Sequence, residues 1–168
     1  MRSVQALLRT GEWAAILNRL VGEPDTPRAY VGVMTVDDQE VFRRSAQRVI
    51  EATPGFALLG EAGSGEGALT VADAVGPDLV LMDVRMPGLD GLETSRRLRP
   101  AHPTAIIVLI SSDEIDGTSC EACGANAFLP KSAFGQAALV QLWADHGPLT
   151  EPDAASSQGA PRIRRGRG

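Results

Sequence analysis

Polar side chains follow four apolar runs of this sequence, each at the point where a run ends. They are Asp37-Asp38, Asp83, Ser111 and Lys131. Carboxylate oxygens are the ligands that a hard cation such as Mg²⁺ prefers, and an ammonium and a hydroxyl can hold phosphoryl oxygens. If the four run ends meet, the sequence predicts a site at which a phosphoryl group is attached to an aspartate.

Each of these residues also has a simpler interpretation. Adjacent carboxylates such as Asp37-Asp38 repel each other when buried, and the pair could be a solvated turn that caps the next helix. Asp83 could likewise cap a turn. The metal-site interpretation of the pair is supported by the apolar run before it, which predicts a central buried strand. Lys131 also supports a functional site, because it is the only lysine of the chain and the other 15 basic residues are arginine.

Strand-like and helix-like patterns alternate five times along the chain. The predicted strands cover residues 31–36, 56–60, 78–82, 104–110 and 126–129. The predicted helices cover residues 40–51, 66–75 and 113–123, with a third helix in chain order that begins at Asp90 and a last one that runs to Trp143. Near-continuous apolar strands alternating with helices indicate an α/β fold with a doubly wound parallel sheet. The carboxyl ends of such strands share one edge, where ligands bind.

Local signals refine the helix predictions. The first helix is expected to turn five apolar residues inward: Val41, Phe42, Ala46, Val49 and Ile50. Asp90 and Glu93 have the spacing of a capping box. Ser132 is predicted to cap the last helix.

Composition and charge limit the classes of function. Hydrophobic residues make up 43% of the chain, enough for a core, and the formal net charge is −5. Residues 31–146 hold 16 acidic and 8 basic residues, a formal charge of −8. Such a region has no general attraction for nucleic acid. No apolar stretch is long enough to span a membrane and the N-terminus is no convincing secretory signal, so a cytoplasmic location is predicted.

Three parts are predicted along the chain: an N-terminal extension at residues 1–29, an α/β domain at residues 30–146 and a tail at residues 147–168. The extension carries apolar residues at helical spacing, which predicts a short amphipathic helix: Trp13, Ile16, Leu17 and Leu20. The tail ends in four arginines among Gly, Ser and Pro residues, a composition typical of disorder. A partner-binding helix, and an acidic or nucleic-acid partner for the arginines, are the less favoured alternatives.

Two further motifs are interpreted as structural. Cys120 and Cys123 lie at the end of a predicted helix, whereas a thioredoxin-like pair would need the helix start, and the two histidines do not complete a zinc site. The glycines around Gly65 lack the Lys-Ser/Thr of a phosphate-binding loop. Both motifs are therefore expected to belong to helix ends and loops.

The run-end residues together resemble a known family. Residues 31–146 resemble the receiver domain of bacterial two-component response regulators, of the kind that precedes a LuxR/NarL-type helix-turn-helix. The matching features are Asp37-Asp38, the segment DVRMPGLDG from Asp83 to Gly91, Ser111, and Lys131 after the segment GANAFLP that begins at Gly124. The resemblance implies a flavodoxin-like sheet with strand order 2-1-3-4-5.

The resemblance also implies a role for each matching residue. Asp83 is the expected phosphoacceptor, Lys131 is expected to pair with one phosphoryl oxygen, and Ser111 to hydrogen-bond another. Phe128 fits the aromatic position that turns inward when Ser111 is drawn to the phosphate.

Mg²⁺ is the cofactor that the resemblance implies. Its expected ligands are the side chains of Asp38 and Asp83 and the backbone carbonyl of Arg85, with Asp37 acting mainly through a bound water. Positive charge from the metal would serve phosphoryl transfer, which depends on positioning and charge neutralisation.

The implied function is a single-domain response regulator that a sensor histidine kinase phosphorylates on Asp83, a switch rather than an independent enzyme. Only 22 residues follow His146, fewer than the roughly 50 that a further domain needs. The expected partners are therefore the kinase and an unknown output protein, with a possible homodimer and without direct DNA binding or membrane association. Ser132 stands where many receivers have a cis proline, a departure in the loop that partners contact.

Other functions stay open from the sequence. The domain could act in a phosphorelay, as a binding module without phosphorylation, or as a transcription regulator whose DNA-binding part is missing or supplied in trans. A phosphatase of the HAD type is disfavoured, because position 85 is Arg where a second Asp is needed. A pair between Arg85 and Asp113 that shields the phosphoryl group is a further expectation.

Overall fold

Five parallel strands form the sheet of the computed structural model, which describes residues 29–112 and 122–148. They are β1 (Val31–Val36), β2 (Phe56–Ala62), β3 (Leu79–Asp83), β4 (Ile106–Ser111) and β5 (Ala127–Pro130). Their order is β2-β1-β3-β4-β5, and every neighbouring pair runs parallel. The predicted fold class and strand order are confirmed.

Four helices are described around the sheet: α1 (Glu40–Glu51), α2 (Gly65–Val75), α3 (Gly91–Ala101) and α4 (Gln136–His146). Asp90 caps α3 as predicted, because its side chain accepts a hydrogen bond from the Glu93 backbone N–H at 2.8 Å. The predicted N-terminal helix, the predicted helix at residues 113–123 except its last two residues, and most of the predicted tail lie outside the described residues.

The helices cover both faces of the sheet. On one face, Met34 of β1 and Met82 of β3 belong to a core that includes Ala68 and Ala72 of α2 and Leu98 of α3. The opposite face buries a second set, from both flanking helices and three strands: Val33, Ile50, Leu79, Leu81, Ile106, Val108, Ile110, Leu139 and Leu142. Burial on both faces explains why the strands read as continuous apolar runs. Within the described part of the chain, every helix is too short or too polar to cross a bilayer.

Two local predictions are wrong. Val41 does not face inward: its side chain is 83% exposed, whereas Ala46 and Ile50 are buried. Residues four apart share a helix face, so the inward stripe of α1 passes through Phe42 and leaves Val41 about 100° to one side.

Ser132 does not cap the last helix. It lies in a short 3₁₀ turn, Lys131–Ala133, and α4 begins only after Gly135, which has no side chain to cap with. Phe134 interrupts the helix because its backbone is extended, with φ −72° and ψ 127°. Strand ends also differ by one to two residues, and Asp83 and Ser111 are the last residues of β3 and β4 rather than the first residues after them.

Candidate functional site

The predicted site residues lie at the carboxyl edge of the sheet. Asp37 follows the end of β1, and its backbone N–H donates to the carbonyl of Ala62 on β2 at 3.1 Å. Asp83 ends β3 in register with Ile110 of β4. Lys131 follows the end of β5. Parallel pairing therefore brings groups that are far apart in sequence to one edge, as expected from the strand order.

Lys131 bridges the two buried carboxylates. Its Nζ lies 2.6 Å from Asp37 Oδ2 and 3.1 Å from Asp83 Oδ2. The contact with Asp83 is a hydrogen bond, whereas Asp37 Oδ2 has no partner in hydrogen-bond geometry, so its short contact with Lys131 is an ion pair. The other oxygen of Asp37 accepts the Gln39 backbone N–H at 2.8 Å. One ammonium thus holds two carboxylates together.

Burial and charge change the pKa of both partners. Burial, followed by repulsion from the Asp37 carboxylate, raises the pKa of Asp83, although hydrogen bonding to Lys131 opposes this. Burial alone would lower the pKa of Lys131, but its contacts with Asp37 and Asp83 outweigh burial and raise it. Two carboxylates facing one ammonium leave the site with an excess of negative charge, which favours a further cation.

Asp38 adds a third carboxylate to this edge. Oxygens of Asp37, Asp38 and Asp83 all lie within 4.8 Å of one another, and Asp38 is exposed to solvent while the other two are buried. An all-oxygen set with one solvent-facing member suits Mg²⁺, which keeps several waters and binds through one or two carboxylates. The residues present therefore fit the metal that the sequence predicts.

The segment after β3 is held close to Asp83. The backbone N–H of Arg85 approaches Asp83 Oδ1 at 3.4 Å, and the N–H of Gly91 donates to the Val84 carbonyl at 3.0 Å. A Cβ at Gly91 would collide with the Asp83 carbonyl oxygen. Glycine at this position therefore lets α3 begin directly against the end of β3. The Arg85 side chain is exposed, and its expected partner Asp113 lies outside the described residues.

Ser111 and Phe128 occupy neighbouring strands on the other side of β3. Ser111 is the last residue of β4, 2% exposed, and stands in register with Pro130 of β5. Phe128 pairs in register with Leu109 and packs, half-buried, against the core that includes Met34. The structure brings Ser111 to the same edge as Asp83 and Lys131 and places Phe128 two residues before the end of β5.

Two residues of α1 belong to the site although the sequence did not single them out for it. The Phe42 ring lies under the Lys131 ammonium, with Nζ 4.7 Å from the ring centroid. The Arg43 guanidinium donates to the Asp37 carbonyl at 2.6 Å and lies 4.0 Å from a carboxylate oxygen of Glu61. Their position in the sequence could have indicated this, because both residues fall in the first helical turn after the acidic pair.

Comparisons with known proteins agree with this geometry. A family model described as "Response regulator receiver domain" matches residues 33–143. Response regulator GacA of Pseudomonas viridiflava is 38% identical over 113 residues, which are 66% of this chain and 52% of that protein. The nitrate/nitrite response regulator protein NarL of Escherichia coli K12 is 34% identical over 101 residues, 59% of this chain and 47% of NarL. The chain thus spans about half the length of these curated relatives.

A solved structure shows the same likeness. The signal receiver domain of the putative response regulator NarL from Mycobacterium tuberculosis superposes with a TM-score of 0.63 at 29% identity, covering 70% of this chain and 96% of that domain. Vibrio cholerae CheY4, at 23% identity and the same TM-score, shares the fold.

Proposed function

This chain belongs to the response regulator receiver domain family of two-component systems, and we propose that Asp83 is its phosphoacceptor. The observation that carries this assignment is the Lys131 ammonium, which lies 3.1 Å from Asp83 Oδ2 and 2.6 Å from Asp37 Oδ2. Among the three clustered carboxylates, Asp83 ends the central strand β3 and is the one that accepts a hydrogen bond from the Lys131 ammonium.

The reaction is a displacement at phosphorus. A carboxylate oxygen of Asp83 attacks the phosphorus atom, the bond from phosphorus to the donor atom breaks, and the electron pair leaves with the donor. Lys131 neutralises charge on the transferring group, and Ser111 at the end of β4 supplies a hydroxyl for another phosphoryl oxygen. Asp37, Asp38, Asp83 and the Arg85 carbonyl are the proposed ligands of Mg²⁺, which when bound supplies further positive charge.

The proposed phosphoryl donor is a sensor histidine kinase. The proposed role of the domain is that of a switch whose surface is bound by an output protein. Phe128 is proposed to respond to phosphorylation by turning inward as Ser111 moves toward the phosphoryl group. The acidic charge of the region gives no basis for direct DNA contact by it.

The test is phosphorylation with acetyl phosphate and Mg²⁺, followed by the mass of the intact chain and of its peptides. Wild type is expected to gain one phosphoryl group on the peptide that contains Asp83, and Asp83→Asn is expected to gain none. Asp73→Asn is the matched control, because that carboxylate is 73% exposed and lies on α2. Undiminished labelling of Asp83→Asn would place the acceptor elsewhere.

A further inference from the structure

The Lys131 ammonium has a third neighbour besides the two carboxylates. Its Nζ lies 4.7 Å from the centroid of the Phe42 ring, within the distance of roughly 6 Å at which the negative face of an aromatic ring attracts a cation. Phe134 packs against Phe42 with ring centroids 6.0 Å apart and ring planes tilted by 48°. The Lys131 side chain is only 10% exposed, so the ammonium is enclosed by two carboxylates and a braced aromatic ring.

These neighbours differ in what happens to them when a cation binds. Asp37 and Asp83 offer the same kind of oxygen to Lys131 and to a metal ion, so a bound cation competes with the ammonium for both. The Phe42 ring has no ligand atom to give to a metal and no proton to lose. Its attraction for the ammonium therefore persists while the carboxylates change partners.

We propose that Phe42 is a positioning residue that keeps the Lys131 ammonium beside Asp83 after the carboxylates have engaged a metal ion. An ammonium that is already held in place meets the incoming phosphoryl group without first having to be ordered, so the conformational entropy of the lysine side chain is not lost at that step. The inference rests on the proposed function, since it assigns Phe42 to the same phosphoryl site.

The first test is the rate of phosphorylation by acetyl phosphate at saturating Mg²⁺. Phe42→Leu retains an apolar side chain but removes the aromatic face, and it is expected to lower the rate about threefold to thirtyfold, the range from an exposed to a desolvated cation–aromatic contact. Phe42→Tyr retains the face and is expected to restore most of the rate. Val41→Ala is the matched control, because its side chain is 83% exposed on the adjacent residue of α1.

A double-mutant cycle separates this role from a general effect on packing. If Phe42 acts through Lys131, then Phe42→Leu should have no further effect on the rate once Lys131 is replaced by Met. An equal loss of rate in the presence and absence of Lys131 would overturn the proposal, because the ring would then act through the fold of α1.

The second measurement uses the fact that Lys131 is the only lysine of the chain. Trace acylation at saturating Mg²⁺, read by peptide mass with the N-terminal amine as internal reference, reports directly on how firmly the ammonium is held. Labelling of Lys131 is expected to rise severalfold in Phe42→Leu and to stay at the wild-type value in Phe42→Tyr and Val41→Ala. Unchanged labelling in Phe42→Leu would overturn the proposal.

The two measurements also distinguish this proposal from the proposed function. Labelling does not require phosphoryl transfer, so it tests the contact between Phe42 and Lys131 even if wild type accepts no phosphoryl group. In that case Asp83 would lose its assigned role while the labelling result would still support or overturn the contact.

Discussion

Two half-buried cations lie at opposite ends of β5 and are held in different ways. Lys131, after the carboxyl end of the strand, lies against the carboxylates of Asp37 and Asp83. Arg99 of α3 lies before the amino end, and within the described residues its side chain donates five hydrogen bonds, all to neutral amide oxygens. The acceptors are Gly124 O at 2.9 Å, His102 O at 3.5 Å, Pro103 O at 3.0 Å, Ala105 O at 2.8 Å and Asn126 Oδ1 at 2.6 Å.

This difference separates a structural cation from an exchangeable one. Amide oxygens of the chain cannot be titrated, so the contacts of Arg99 are permanent, and burial lowers the pKa of its guanidinium. Carboxylates can be protonated or taken by a metal, so Lys131 can change partners, and the same carboxylates raise its pKa against the effect of burial. Arg99 therefore joins segments of the fold, whereas Lys131 is the cation that we propose takes part in phosphoryl transfer.

The largest expected effect is on stability at Arg99. Arg99→Met retains the apolar stem but removes every donor, and should lower the free energy of unfolding by about 2–4 kcal/mol because several backbone oxygens lose their partner. The stabilisation by Mg²⁺ should stay unchanged. Denaturant unfolding with and without Mg²⁺ measures both quantities.

Arg97→Met is the control for loss of an arginine from the same helix, because Arg97 is exposed and pairs only with nearby Glu93 at 2.9 Å among the contacts described. Its loss should have little effect on the free energy of unfolding, because solvent screens an exposed ion pair. A marked change in Mg²⁺ stabilisation with Arg99→Met would contradict the separation of the two cations.

Lys131→Met should show the opposite pattern. Without metal, the buried carboxylates of Asp37 and Asp83 lose their cation, and the free energy of unfolding should fall by about 2–3 kcal/mol. Saturating Mg²⁺ should recover most of this loss, because the metal can replace the missing positive charge. Thermal unfolding across a Mg²⁺ titration checks this. If Mg²⁺ leaves the difference in stability between wild type and Lys131→Met unchanged, Lys131 and the metal do not share the carboxylates.

Asp38→Ala tests the metal side of the site. Saturation of a single site at 100 times its dissociation constant stabilises a protein by about 2.7 kcal/mol, and most of that metal-dependent gain should disappear in the variant. The metal-free stability should be equal or slightly higher, because a repelling charge is removed. If Mg²⁺ protects wild type and Asp38→Ala to the same extent, the proposed ligand set is wrong.

The smallest expected effect concerns the charge of Asp83. Because burial raises its pKa in the folded state, the contribution of Asp83 to stability is fully present below the pKa of the unfolded chain and is lost as the pH rises through the raised pKa. The ionised carboxylate therefore opposes folding at neutral pH. Metal-free Asp83→Asn should therefore be more stable than wild type at pH 7. This gain in stability should vanish as the pH falls below about 4. Unfolding measured from pH 3 to 8 checks this, and a gain that grew as the pH fell would contradict the expected direction.

The strands could be predicted because each is a continuous apolar run between turn residues, and their order was implied by the resemblance to receiver domains. The bounds of β1 and α1 agree with the prediction, and Asp90 caps α3 as its spacing to Glu93 indicates. The rotation of α1 about its axis and the first residue of α4 were harder to predict from the sequence. Periodicity alone does not distinguish Val41 from Phe42 at the edge of an apolar stripe. The helix α4 begins only after Phe134, whose backbone is extended and whose ring packs against Phe42, a contact that local sequence does not reveal.

The sequence by itself determined which groups reach the carboxyl edge, because every parallel strand delivers its last residues to that edge. Asp37, Asp83 and Lys131 meet there for this reason. Only the tertiary structure decided that Lys131 bridges both carboxylates and rests on Phe42, since Lys131 and Asp83 are 48 residues apart in the chain. Local patterns define an element and its buried face, but contacts between side chains of different elements depend on how those elements pack.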